Sequence, residues 1–216
     1  MSWKIFNRLY QRYDEWFDRP PGKEIFELEV KCVKQVFRKT LKPSLEVGIG
    51  TGRFAERLNI DFGVDPSFEM LKKALKRGVR VVEATAEMLP FPSNCFGTVA
   101  LIVTLCFLDD PTKALKESFR ILRKDGVLIL GIVPKHSSWG KFYLEKKKEG
   151  HPFYSAARFY TPQEAIDIAE KVGFKLENIF STLFETPSEC ENIGSYSPKS
   201  KLVEDAGFVC IRMKKP

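Results

Sequence analysis

Few of the features that quickly narrow a protein's chemistry are present in this chain. Only two histidines occur, His136 and His151, and the five cysteines, Cys32, Cys95, Cys106, Cys190 and Cys210, are scattered, with no Cys-x-x-Cys pair and no histidine at metal-ligand spacing. That pattern argues against a metal centre or a disulfide framework and points to a reducing, cytoplasmic setting. No apolar run reaches the ~18 residues of a membrane-spanning helix. The opening segment MSWKIFNRLYQRYDEWFDRP is interrupted by charge every few residues, so it lacks the apolar centre of a secretory signal. Internal repeats are absent. So is a large charge excess: 35 basic against 28 acidic residues leave a net charge of +7, which permits an anionic partner without requiring one.

What remains is an ordinary globular composition, with 44% hydrophobic and 29% charged residues over 216 positions. A length near the ~150-residue domain prior predicts one compact unit with one core. Residues 1–42 read as a helical cap. Ile5, Leu9, Tyr13, Trp16 and Phe17 recur near a 3.6 period, and Ile25, Phe26, Val30, Val33, Val36 and Phe37 do so after the Pro20-Pro21-Gly22 break, predicting two helices.

From Pro43 the pattern becomes short apolar runs separated by helical stretches: SLEVGI (44–49), FGVD (62–65), VRVVEA (79–84), TVALIVTL (98–105) and VLILGIV (127–133). The fourth run is apolar throughout and β-branched, as in a strand covered on both faces of a parallel sheet. Asp110-Pro111 opens a helix that Gly126 is expected to end, and Thr161-Pro162-Gln163-Glu164 is a capping box for a helix ending at Gly173. Two more strands are expected at 174–184 and 208–213. The alternation predicts an α/β protein with a doubly wound, mostly parallel sheet of seven strands.

The first strand runs into LEVGIGTG (45–52), which places Gly48, Gly50 and Gly52 between a strand and a helix. Glycine there allows positive φ and close approach of the backbone to a ligand, and the helix N-terminus offers N–H donors to an anion. The turn reads as a cradle for a nucleotide cofactor. The sixth position of the dinucleotide pattern is Arg53 rather than glycine, which disfavours a pyrophosphate-binding turn. Strand two ends in Asp65, where a carboxylate at the strand's C-terminal edge can accept both hydroxyls of a ribose. Asp65-Pro66-Ser67 also reads as an N-cap, and both roles can coexist.

In their order, LEVGIGTGRFAERL, GVDPSFEML, ATAEMLPFP and ALKESFRILRKDGVLIL resemble class I S-adenosylmethionine-dependent methyltransferases, specifically the type 11 family that includes ubiquinone and menaquinone biosynthetic enzymes. The resemblance is close over residues 43–133; YDEWFD (13–18) is similar, more loosely, to the segment that covers the cofactor. It implies a Rossmann-like methyltransferase fold and S-adenosyl-L-methionine as cofactor. The Gly48–Gly52 loop would then pack on the methionine part, Glu46 would hold its amino end and Asp65 the ribose. Pro66 and Met70 would flank the adenine, with Thr85, Ala86 and Glu87 at its edge. Leu105 and Cys106 would line the sulfonium side, and Tyr13 and Trp16 would cover it. Thr85 stands where the family usually has an acid, so the contact to the exocyclic amine passes to Glu87 or to backbone.

The acceptor is less legible. The Asn/Asp-Pro-Pro-aromatic tetrapeptide of nucleic-acid amino-methyltransferases is missing after strand four, where the chain reads TLCFLDDP, and there is no Pro-Cys nucleophile. A small-molecule O, N, S or C nucleophile is therefore the expected acceptor. An RNA methyltransferase and a non-catalytic cofactor-binding protein are the alternatives. Residues 134–160 form an inserted lid rich in aromatics, Trp139 and Tyr154 among them, and hold both histidines, each a candidate general base near neutral pH. Oligomeric state leaves no trace in the sequence.

Overall fold

A computed structural model describes residues 3–216, except for the side chains of residues 190–192; Met1, Ser2 and the thiol of Cys190 lie outside the described residues. Among these residues seven strands form one sheet: β1 Ser44–Val47, β2 Phe62–Asp65, β3 Arg80–Glu83, β4 Phe96–Ile102, β5 Leu122–Ile132, β6 Lys175–Thr182 and β7 Phe208–Lys214. Their order is β3-β2-β1-β4-β5-β7-β6, with β7 antiparallel to both neighbours and the other pairs parallel. The order reverses between β1 and β4, so the connections leaving their carboxyl ends diverge to opposite sides and leave a crevice there. β1 and β4 are buried at every position, which is why they read as unbroken apolar runs apart from Ser44, Glu46, Gly97 and Thr98.

Among the described residues eight α-helices flank the sheet: α1 Trp3–Arg8, α2 Tyr10–Trp16, α3 Gly22–Val36, α4 Arg53–Leu58, α5 Phe68–Lys76, α6 Pro111–Ile121, α7 Ser138–Lys148 and α8 Pro162–Val172. One apolar cluster lies on each face of the sheet. The capping box at Thr161 and Glu164 forms, and Gly173 closes α8 with φ 117°.

Three local expectations need correction. The cap holds three helices. Residues 3–16 kink at Leu9, although Leu9 and Tyr13 still donate to the carbonyls of Ile5 and Leu9. β1 stops at Val47 because Gly48 turns away with φ 73°. Gly126 does not end α6: the helix closes at Ile121, and residues 123–126 bulge from β5 between the pairs Phe96–Leu122 and Thr98–Val127, with Asp125 at φ 62°. The lid contains a helix. Ser137 accepts a hydrogen bond from the Gly140 N–H and starts α7, whose last turn carries Lys146, Lys147 and Lys148.

The cap is tied down by charge. Arg53 donates to Asp14 Oδ1 at 2.7 Å and to Asp18 Oδ2 at 2.7 Å, and Arg77 reaches both Asp14 oxygens at 3.1 Å. These guanidinium groups hold the Asp14 carboxyl below its usual range despite its burial. Arg53, the residue that breaks the dinucleotide pattern, thus fastens α2 to the start of α4.

Candidate active site

The crevice at the β1/β4 switch begins with the glycine turn. Gly48 and Ile49 both donate to the Val64 carbonyl, at 2.7 and 3.0 Å, so the loop leans onto β2. A Cβ at Gly48 would sit 2.3 Å from Thr104 Cγ2, and Gly50 carries φ 54°. Only glycine keeps this wall flat. Gly52 has another job: its Cβ would meet Ala74 of α5 at 2.8 Å, so it sets helix packing and does not face the crevice.

Asp65 closes the end of β2. Its Oδ2 accepts from Gly50 N at 2.9 Å and its Oδ1 from Ser67 N at 2.8 Å, and each oxygen keeps a second lone pair. Burial raises this carboxyl to about 6, against the pull of the two N–H donors. The N-cap of α5 is Ser67, whose hydroxyl accepts from Met70 N, so Asp65 is not itself the cap. Glu46 lies behind the loop at 1% exposure with Oε2 lacking any partner. Burial pushes its pKa well above the usual value; the Ala55 N–H draws it down and the Asp65 charge adds to the rise.

Tyr13, Gly48, Gly50, Asp65, Pro66, Met70, Thr85, Ala86 and Glu87 all line one cavity of about 450 Å³. Leu105 does not. Its side chain faces the apolar core beneath β4, and Val103, Thr104 and Phe107 take that wall. A second cavity of about 400 Å³ adjoins the first, sharing Phe6, Tyr13, Val103 and Phe107 with it. Trp16, Cys106, His151 and Tyr154 line it. Burial pushes the Cys106 thiol up to about 12, so it stays protonated at neutral pH.

An outer hollow of about 370 Å³ continues past Trp16, His151 and Tyr154 to Trp139. Trp139 is chiefly structural: it is 3% exposed and its indole N–H donates to the Glu185 carbonyl at 2.7 Å. His136 is exposed and lines none of the three cavities, whereas His151 stacks on Tyr154 with centroids 4.6 Å apart. Burial, then Arg12 and Lys146, lower the His151 pKa.

One group at the second cavity was not singled out from sequence. Glu29 lines it at 7% exposure, and burial alone raises its carboxyl to about 8. The signal was available. Glu29 falls four residues after Ile25 and three before Cys32, a charged residue in the apolar stripe of α3.

Among known proteins, residues 45–130 match the model of the methyltransferase-domain family. The chain is 39% identical to a structure from Thermotoga maritima described as a SAM-dependent methyltransferase, possible histamine N-methyltransferase, over 100% of both chains with a TM-score of 0.90. The chain belongs to the class I S-adenosylmethionine-dependent methyltransferases. An uncharacterized protein of Methanocaldococcus jannaschii is 36% identical across 98% of each chain. An uncharacterized protein of Mycobacterium tuberculosis is 39% identical over 81% of this chain and 61% of its own length, so the chain spans about three fifths of that relative. As a class I methyltransferase it uses S-adenosyl-L-methionine as cofactor. Among the described residues no helix is long and apolar enough to cross a membrane, and no group of three or more His, Cys, Asp or Glu could hold a metal ion.

Proposed function

We propose that this methyltransferase, a single cytoplasmic domain with cap 1–42 and lid 134–160, methylates a small molecule seated in the aromatic cavity beside the glycine turn. The observation that carries this reading is the junction of two cavities at Tyr13, Val103, Phe6 and Phe107. One has the polar groups an adenosyl amino acid needs, and the other has aromatic walls. A volume of about 400 Å³ suits a small molecule rather than a polynucleotide.

The residues fit the cofactor. Asp65 keeps one lone pair per oxygen for the ribose hydroxyls, and the flat wall at Gly48 and Gly50 admits the methionine part. The unpartnered Oε2 of Glu46 is a buried acceptor for an ammonium group, reached directly or through water. Pro66 and Met70 flank the slot for the base, and Thr85, Ala86 and Glu87 form its edge; Glu87 also accepts from Asp110 N at 3.3 Å.

When bound, the sulfonium supplies an electrophilic methyl group. The protein's work is then to hold the acceptor in line and exclude water, for which positioning contributes at most about 7–11 kcal/mol. Tyr13, Trp16, Cys106 and Tyr154 shape the acceptor space, and His151 faces it. Calorimetric titration with S-adenosylmethionine tests the reading: wild type gives saturable heat and Asp65→Ala much less. Absence of saturable heat with wild type refutes it, and saturation without methyl transfer to a broad acceptor panel would leave a binding protein.

A further inference from the structure

Glu29 stands out in the acceptor cavity because nothing among the described residues pairs with it. It occupies the buried stripe of α3 between Ile25 and Cys32, and among the described residues it makes no hydrogen bond or ion pair. A buried carboxyl without a partner in the protein is costly, either as a desolvated charge or as an acid held protonated, and a fold sheds that cost readily by substitution unless a ligand uses the group. The groups facing it are Tyr13 of α2, Tyr154 of the lid's short 3-10 turn and Cys210 of β7, none of them a cation. Arg12 and Arg19, which also line the cavity, are largely exposed and do not bond to it. Tyr13 lies within electrostatic reach of Glu29, Asp65 and Glu46 together, so Glu29 stands close to the cofactor crevice.

Much of the remaining wall is aromatic, with Tyr13, Phe17, Tyr143, Phe153, Tyr154 and Phe159 alongside His151, Cys106, Val103 and Val133. Ring faces attract cations and accommodate apolar bodies. Ionised, a carboxyl among rings pairs with a cation and repels a carboxylate or phosphate; protonated, as burial leaves it at pH 7, it offers an alcohol or an acid no more than a neutral hydrogen bond. It is also too weak a base to ionise an alcohol. An amine satisfies both requirements.

We propose that Glu29 anchors the amino group of the methyl acceptor and takes a proton from it, so that the acceptor is a small amine with an apolar or aromatic body. This rests on the methyl-transfer reading above. The ammonium form gives one proton to the Glu29 carboxylate. The freed nitrogen lone pair forms the N–C bond as the C–S bond breaks, its electron pair going to sulfur. The products are an N-methylammonium, a neutral thioether and a protonated Glu29, the form in which the free protein rests at pH 7; the proton released to solvent when the amine binds closes the balance.

The probes are isobutylamine, 2-phenylethylamine and tryptamine, with 2-phenylethanol and 3-phenylpropionate as matched controls. Cofactor binding is first measured alone, with S-adenosylhomocysteine. Each probe is then titrated into that complex in two buffers of different ionisation heat, and turnover is followed with S-adenosylmethionine. With the Glu29 carboxyl at about 8, amine binding at pH 7 is expected to release about one proton. At least one amine should bind roughly 30-fold or more tightly than the alcohol and the carboxylate, the range for pairing a buried charge. In Glu29→Gln the proton release and the preference disappear while cofactor affinity stays within about threefold. Saturable cofactor with no amine preference in wild type, which needs no variant, overturns the acceptor inference and leaves methyl transfer standing. So does a Gln variant that keeps the preference. Failure to bind cofactor removes the methyl-transfer reading and this inference with it.

Discussion

Replacing Asp65 by asparagine should weaken cofactor binding far more than it disturbs the fold. In wild type the two carboxylate oxygens accept from Gly50 N and Ser67 N at 2.9 and 2.8 Å and keep two lone pairs for the ribose. Asparagine has one acceptor oxygen, so its amide NH2 either faces a backbone N–H or leaves one ribose hydroxyl without its carboxylate acceptor. Losing one charge-assisted hydrogen bond costs about 1.5–3 kcal/mol, or roughly 10- to 150-fold in Kd. The fold loses a backbone bond but also sheds a buried charge. Keeping Asp65 ionised between its usual 3.8 and about 6 costs about 3 kcal/mol at 1.36 per pH unit, so the melting temperature should move little.

The same raised pKa sets the pH dependence. In the free protein the carboxylate is present above about 6 and is lost as pH falls through that value. Wild-type affinity should therefore be level from pH 7 to 8 and decline below pH 6, while the variant's stays flat. Calorimetry with S-adenosylhomocysteine from pH 5 to 8 reads both. A variant within threefold of wild type, or a wild-type affinity unchanged down to pH 5, would refute the assignment of the ribose to Asp65.

Gly52→Ala places a Cβ 2.8 Å from Ala74 at φ 83°, and left-handed backbone plus overpacking should lower unfolding stability by about 2–4 kcal/mol in a urea titration. Arg53→Ala leaves buried Asp14 with one guanidinium fewer and frees Asp18, so limited proteolysis should cut within residues 3–20 faster, with weaker cofactor binding; unchanged cleavage would deny that this pair fastens the cap. Glu29 is raised from 4.5 to about 8, so the protonated native state is favoured and stability declines as pH rises across that window. Glu29→Gln should thus match wild type near pH 4.5 and exceed it at pH 9 by up to about 5 kcal/mol, read from melts at the two pH values. Equal melting temperatures at pH 9 would place the Glu29 carboxyl in water.

The parts of this protein legible in its sequence are those in which a residue type answers a local demand. LEVGIGTG had to be a strand entering a turn, because glycines at 48 and 50 meet positive φ. Thr161 with Glu164 had to start a helix, because the box satisfies its first N–H groups. The unbroken apolar run in β4 implied a strand buried on both faces, and the alternation of periods implied the layered sheet. What only tertiary structure decided were directions and partners. Gly52 and Leu105 sit within two residues of cleft-lining neighbours, yet the turn of α4 and the short 3-10 helix after β4 aim them at Ala74 and the core. Trp139 and Tyr154 belong to one lid, but a hydrogen bond to the Glu185 carbonyl commits the first to packing. Glu29 became a candidate for chemistry once α2 and the lid enclosed it without pairing it to a cation. Burial and charge pairing join residues distant along the chain, and no local pattern encodes them.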